Sequence, residues 1–384
     1  MVKNLETNVV DDVSFGAIVV IRDQLLKLQR EGKKVYRLES GDPSFDLPDN
    51  VKNGIEGALK NKKTHYTDST GIPELREAIA NKLQRKNGIK NASPSNVVVT
   101  NGGMNGLYVA FRSLISKGDE VIIPNPMWTE IAEIVKLSDG KPVYVPIERY
   151  QEPKDFPITS KTKAIFINSP HNPTGKVLSK ENISRIVKVA EENDIFIVSD
   201  EAYEDVIFDG RRHTSPASLY ENTISLYSMS KSYAMSGLRV GYVHSSNEKL
   251  IERMKKMLRC TINGVNSITQ YGAIEALRGP QDYIEVMRSE YQRRRDIIYN
   301  GVKDSRYLEP LYPEGAFYLW AKIKEFPEGT RDSWDFSKYL LEKTSVGSTP
   351  GPVFGPNNDH YIRFAFSAKT EDIKEAAELI TNLI

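Results

Sequence analysis

Between about residues 95 and 245 the chain returns repeatedly to short runs of β-branched and apolar residues: Val97 to Thr100, Glu120 to Ile123, Pro142 to Ile147, Ala164 to Asn168, Ile195 to Ser199, Thr223 to Tyr227 and Arg239 to His244. These runs predict strands. Several are separated by stretches of helical periodicity, Gly103 to Ile115, Trp128 to Leu137 and Ser179 to Asn193, the last opening on the capping sequence Ser179-Lys180-Glu181-Asn182. Strands alternating with helices predict an α/β fold built on a mostly parallel sheet of seven strands. Unbroken apolar runs such as Ala164-Ile165-Phe166-Ile167 predict strands covered by helices on both faces.

Two long helical regions follow, 247 to 278 and 281 to 302, broken by Gly279-Pro280. Beyond Leu308 the pattern mixes strands (Gly315 to Ala321, Tyr361 to Phe366) with helices (Asp332 to Lys343, Thr370 to Ile384), which predicts a smaller α+β domain. The expected division is a large domain over 46–302 and a small domain with an amino-terminal arm formed by 1–45 and 303–384. A chain of 384 residues accommodates two such domains and buries a core without covalent staples.

Composition removes several function classes. Lys plus Arg at 52 against Asp plus Glu at 51 leaves a charge of +1, without the basic excess that a nucleic-acid backbone or an anionic membrane selects. The longest wholly apolar runs, such as Ala17 to Ile21, reach about five residues against the roughly 20 of a membrane helix. Met1 to Phe15 is polar and acidic, unlike an export signal. The single cysteine, Cys260, rules out an intramolecular disulfide and a zinc cluster built on several thiolates, so the expectation is a cytoplasmic protein without a metal site.

In an open parallel sheet, ligands bind beyond the carboxyl ends of the strands. After Val97 to Thr100 come Asn101-Gly102-Gly103 and a helix, where free backbone N–H groups suit a phosphate. After Ala164 to Asn168 come Ser169-Pro170-His171-Asn172-Pro173-Thr174-Gly175, whose prolines and glycine fix a turn around Asn172. After Ile195 to Ser199 comes Asp200-Glu201-Ala202-Tyr203, a carboxylate directly behind a buried strand, where it needs a partner. After Thr223 to Tyr227 comes Ser228-Met229-Ser230-Lys231, with Arg239 eight residues beyond the lysine. Taken together, these groups fit a ligand with a phosphate, a carbonyl for an amine and a basic ring nitrogen, as in pyridoxal 5'-phosphate.

The segment from Ser228 through Lys231 and Arg239 to Gly241 resembles the lysine motif of the class I aminotransferases, in the fold type I pyridoxal-phosphate superfamily. The resemblance continues, in the family's order, through Leu38-Glu39-Ser40-Gly41-Asp42-Pro43, Tyr66-Thr67-Asp68, Gly71-Ile72-Pro73-Glu74-Leu75-Arg76, Asn172-Pro173-Thr174-Gly175, Asp200-Glu201-Ala202-Tyr203 and Tyr361-Ile362-Arg363-Phe364. It implies an enzyme that moves an amino group between an L-amino acid and a 2-oxo acid by ping-pong chemistry. Lys231 would form the Schiff base with the cofactor and then carry a proton, which a partly desolvated lysine can do and an arginine cannot. Asp200 would keep the pyridine nitrogen protonated. Tyr203 and Asn172 would bond the ring oxygen, and Trp128 would lie over the ring. Gly102, Gly103, the Met104 N–H, Ser228, Ser230 and Arg239 would hold the phosphate, joined by Tyr66 from the neighbouring subunit of a homodimer. Arg363 would grip the substrate α-carboxylate beside Gly41, with Asn172 and Trp128 contributing to substrate binding.

Carbon–sulfur β-lyases share these motifs, and an aspartate aminotransferase is a further alternative. A Rossmann dehydrogenase is disfavoured, because no Gly-x-Gly-x-x-Gly follows a strand with an acidic residue about twenty positions on. Met104 stands where aspartate-preferring relatives often carry a lysine, which points to a neutral or aromatic amino donor with 2-oxoglutarate as acceptor.

Overall fold

The computed structural model describes residues 9–13 and 18–383. Residues 1–8 and 14–17 of the expected amino-terminal arm lie outside the described residues. The helices are α1 (Ile18–Arg30), α2 (Asp49–Lys60), α3 (Pro73–Arg85), α4 (Gly102–Leu114), α5 (Glu130–Leu137), α6 (Lys180–Glu192), α7 (Met229–Ser232), α8 (Glu248–Thr261), α9 (Ser267–Arg278), α10 (Asp282–Lys303), α11 (Ser333–Thr344) and α12 (Thr370–Thr381).

Seven strands form one sheet: β1 (Val97–Thr100), β2 (Glu120–Asn125), β3 (Lys141–Pro146), β4 (Thr162–Asn168), β5 (Phe196–Asp200), β6 (Thr223–Ser228) and β7 (Gly241–Ser245). Their order is β1-β7-β6-β5-β4-β2-β3, and β7 alone runs against its neighbours. The carboxyl ends of β1, β6, β5 and β4 therefore share one edge. Val97, Val98 and Val99, like Ala164 through Ile167, are buried, as strands sandwiched between helical layers should be. Ser179 caps α6 as expected, accepting from Asn182 N while the Asn182 side chain returns a bond to the cap.

A second, four-stranded sheet follows with β8 (Leu308–Pro310), β9 (Tyr318–Ile323), β10 (Thr349–Pro350) and β11 (Tyr361–Ala365), in the order β10-β11-β9-β8. Residues from near the chain's start complete it. Tyr36 N donates to Ser345 O at 2.9 Å, Gly347 N to Tyr36 O at 2.8 Å and Ala365 N to Leu38 O at 2.6 Å. Tyr36 and Leu38 share a buried cluster with Ile298 and Val302 of α10 and with Phe317, Phe336, Phe364 and Ile380.

The structure corrects the sequence expectations in detail. The region 247 to 278 is two helices, because Asn263 (φ 50°) and Gly264 (φ 110°) take left-handed conformations that end α8. Trp128 precedes α5 instead of beginning it. Helices α1, α2 and α3 were not anticipated. α2 carries two glycines and two asparagines, which hide its amphipathic face, and α3 opens on Pro73 at its first position. Among the described residues no helix is long and apolar enough to cross a membrane.

Candidate active site

A cavity of about 280 Å³ lies at the shared strand edge. Gly103 and Met104 border it after β1, Asn168 and Asn172 after β4, Asp200, Ala202 and Tyr203 after β5, and Ser228, Ser230 and Lys231 after β6. Gly41, Leu107, Trp128, Ser236, Arg239 and Tyr318 complete the lining. Most of the residues expected from sequence thus meet at one place. Gly102 and Arg363 are outside the lining but touch it, Gly102 against Arg239 and Arg363 against Asn172 and Tyr318. Tyr66 lies outside the lining and is 93 % exposed.

Lys231 sits in the short α7 that the end of β6 feeds. Its Nζ donates to the Gly41 carbonyl at 2.7 Å and stands 5.5 Å from the Phe317 ring centre. Burial lowers its pKa to about 8, with Arg363 and Arg239 pushing the same way against the opposing effect of Asp42. Part of its population is therefore a free amine near neutrality.

Asp200 ends β5, and its Oδ1 accepts from Ala202 N at 3.0 Å. Burial raises its pKa to about 6 despite that bond and the Lys231 charge. A carboxylate held at such a cost suits a cationic partner. The turn behind it is braced by buried charge. The Glu201 side chain accepts from His213 Nε2 at 2.6 Å and from Ser215 at 2.8 Å, while Glu204 pairs with Lys82 and accepts from Asn87 at 2.7 Å. Burial opposes ionisation of Glu201, but these bonds outweigh it and hold the group below the usual carboxylate range.

On the β1 side, Gly102 (φ 76°) meets Arg239 so closely that a Cβ there would lie 2.5 Å from Nη2. The left-handed backbone favours glycine, and a side chain there would push the guanidinium aside. Arg239 is itself left-handed (φ 57°) and anchored through Nη1 to Ser236 O at 2.7 Å. The Ser228 hydroxyl accepts from Ser230 N at 3.2 Å. A guanidinium, two hydroxyls and the start of α4 thus converge, a set suited to a phosphate dianion.

Arg363 points inward from β11. Nη2 donates to Glu39 O at 2.6 Å and Nη1 to Asn172 Oδ1 at 3.2 Å, and the guanidinium lies over the Tyr318 and Phe354 rings at 4.4 and 4.8 Å. Its Nε is buried without a hydrogen-bond partner. A planar cation with an unused donor suits a carboxylate. Trp128 is held from the other side, since Met127 N donates to Phe354 O at 2.7 Å and Thr129 Oγ1 to Val353 O.

Cation, hydroxyls, amine, buried carboxylate and indole match pyridoxal phosphate group by group. Sequence reasoning missed Tyr318, whose hydroxyl lies 2.7 Å from that of Tyr203. Its predicted strand was visible, but nothing local marked the side chain as part of the site. Ser236 was missed as well, although it lies inside the lysine motif.

The family model for aminotransferase class I and II matches residues 33–380. An aspartate aminotransferase from Bacillus subtilis is 37 % identical over 371 residues, 93 % of each chain. Among solved structures, the aspartate aminotransferase from Thermus thermophilus with maleate superposes with a TM-score of 0.92 at 32 % identity, covering 99 % of both chains. The aromatic aminotransferase from Pyrococcus horikoshii superposes with a TM-score of 0.85 at 35 % identity, covering 93 % of this chain and 97 % of that one.

Proposed function

Because the chain belongs to the class I and II aminotransferases and is a pyridoxal-phosphate-dependent transaminase, we propose a role for each residue of the cavity and a class of amino donor. Pyridoxal phosphate, when bound, supplies an aldehyde for the substrate nitrogen and a ring that takes up the electrons left at Cα. Lys231 holds the cofactor aldehyde and then moves a proton from substrate Cα. Its pKa of about 8 supports this, because a proton carrier works best near the operating pH. Asp200 keeps a proton on the ring nitrogen. Tyr203 and Asn172 donate to the ring oxygen, and Trp128 covers the ring face. Arg239, Ser228, Ser230 and the Gly102-Gly103-Met104 turn bind the phosphate. Arg363 takes the substrate α-carboxylate, and Gly41 gives its backbone room.

The amino donor is neutral or aromatic, with 2-oxoglutarate as acceptor. Cavity composition carries this reading: Met104, Leu107 and Trp128 line it, and its lining cations are Lys231 and Arg239, both already employed. A thioether cannot pair with a second carboxylate. The second reading is aspartate, favoured by the names of the Bacillus and Thermus relatives. Comparing kcat/KM for phenylalanine, tyrosine and methionine with that for aspartate decides. A missing charge-assisted contact costs about 1.5–3 kcal/mol, so aspartate should be worse by more than roughly tenfold. A preference for aspartate overturns the neutral-donor reading and leaves the transaminase intact.

The protein acts as a homodimer in which Tyr66 reaches the neighbour's phosphate. Its 93 % exposure on an ordered turn, with Asp68 Oδ1 accepting from Thr70 N at 2.8 Å and Thr67 Oγ1 from Gln270 Nε2 at 3.2 Å, supports this. Mixing Tyr66→Phe with Lys231→Ala protein provides the test. If Tyr66 acts in trans, one site of each hybrid carries both lesions and the other neither, so activity should exceed that of the two parents added. No gain in verified hybrids would place Tyr66 in its own site. The lone exposed thiol, Cys260, fits a reducing cytoplasm.

A further inference from the structure

We propose that Tyr318 is a positioning residue that couples the cofactor end of the site to the substrate end, its hydroxyl serving Tyr203 and its ring serving Arg363. The inference rests on the roles proposed above for those two residues. Tyr318 begins β9, in the smaller sheet, while Tyr203 follows β5 of the larger one, so the contact bridges the two. The antiparallel register pairs Arg363 with Trp320 and Ala365 with Tyr318, which puts Arg363 and Tyr318 diagonally adjacent on one face. That register explains why the guanidinium rests on the ring at 4.4 Å.

The hydroxyl has a different task. A tyrosine carries one proton. If Tyr203 donates to the cofactor's ring oxygen, the 2.7 Å contact must run from Tyr318 as donor to Tyr203 as acceptor. Such a chain polarises the Tyr203 O–H and strengthens its own donation. The two rings meet edge to face, 5.7 Å apart at 79°, which fixes the direction of approach. Both side chains are buried, at 6 % and 3 % exposure, and the 2.7 Å contact is the hydrogen bond the structure gives each hydroxyl.

Gly41 closes the arrangement, because a Cβ there would collide with the Tyr318 hydroxyl. Its carbonyl is the acceptor for Lys231 Nζ. One side chain thus touches groups assigned to cofactor and substrate, and reaches the base through the Gly41 carbonyl. The charged and titratable neighbours of the tyrosine pair are Asp200, Lys231, Arg363, Tyr291 of α10 and, from the start of α5, Glu130.

Hydroxyl and ring can be separated experimentally in the holoenzyme. Tyr318→Phe should move the pH midpoint of the cofactor's visible absorption upward by about 0.3 units, because a weaker bond to the ring oxygen disfavours loss of the neighbouring nitrogen's proton. It should lower kcat and leave KM within about twofold. Tyr318→Leu should in addition weaken binding of an amine-free carboxylate by about tenfold, since the seat of a desolvated cation is gone. The probe is whichever of succinate and 3-phenylpropionate the wild type binds more tightly, so the outcome does not depend on the donor class. Phenylalanine should rescue this affinity but not the absorption midpoint. Should the leucine variant fail to load cofactor, methionine replaces it at 318. Equal losses of carboxylate affinity in the phenylalanine and leucine variants, or no movement of either readout, overturn the proposal. Arg363→Lys is the control: if it leaves carboxylate affinity intact, the role given to Arg363 has failed.

Discussion

Lys231→Ala should lower turnover by about 10²–10⁴-fold, the range that a positioned proton carrier contributes. Of the amines near the cavity, the described structure brings this one to its lining. Folding should survive, because Lys231 makes one side-chain hydrogen bond and is partly exposed. Turnover with the preferred donor, measured beside thermal melting, checks this. The same residue predicts a pH signature in protein freed of cofactor. With its pKa lowered from 10.5 to about 8, Lys231 is an ammonium below that value and an amine above it. Its acylation rate should therefore rise through about pH 8, before surface lysines react appreciably. Borohydride reduction of the holoenzyme should fix the pyridoxyl group on Lys231, and a label on another lysine would defeat the assignment.

The second large effect is expected from Asp200→Asn. The amide preserves shape and can still accept from Ala202 N, so the protein should fold and retain cofactor. It cannot, however, hold a positive charge on the ring nitrogen. Loss of that preorganised electrostatic stabilisation should reduce kcat by on the order of 10³-fold. Turnover equal to wild type would remove Asp200 from the chemistry.

Both residues were legible in the sequence for one physical reason. Strands buried on both faces give unbroken apolar runs, and their carboxyl ends locate ligands, so Asp200, which closes Phe196–Asp200, and Lys231, just past Thr223–Ser228, stand out as charges, while their roles came from the family pattern. Arg363 was legible only through the family pattern, since a lone arginine in a strand reads as its polar side. Tyr318 was not legible at all. Its meaning comes from Tyr203, 115 residues away, and from the register of β9 against β11, which no local pattern encodes. The same limit explains α2, whose Val51, Ile55 and Ala58 share a face that Gly54 and Gly57 interrupt. The break between α8 and α9 differs, because the Asn263-Gly264 pair was a readable turn signal.

The joining of Tyr36 and Leu38 to Ser345, Gly347 and Ala365 sets an order of assembly in time. On a ribosome adding roughly 5–20 residues per second, the early segment waits about 15–60 s for its partners to be made. By then every strand of the seven-stranded sheet, with Asp200 and Lys231, has already been synthesised. On the roles proposed above, the nascent chain carries its cofactor-binding residues before Arg363 is made, so the grip on a substrate carboxylate is acquired after them.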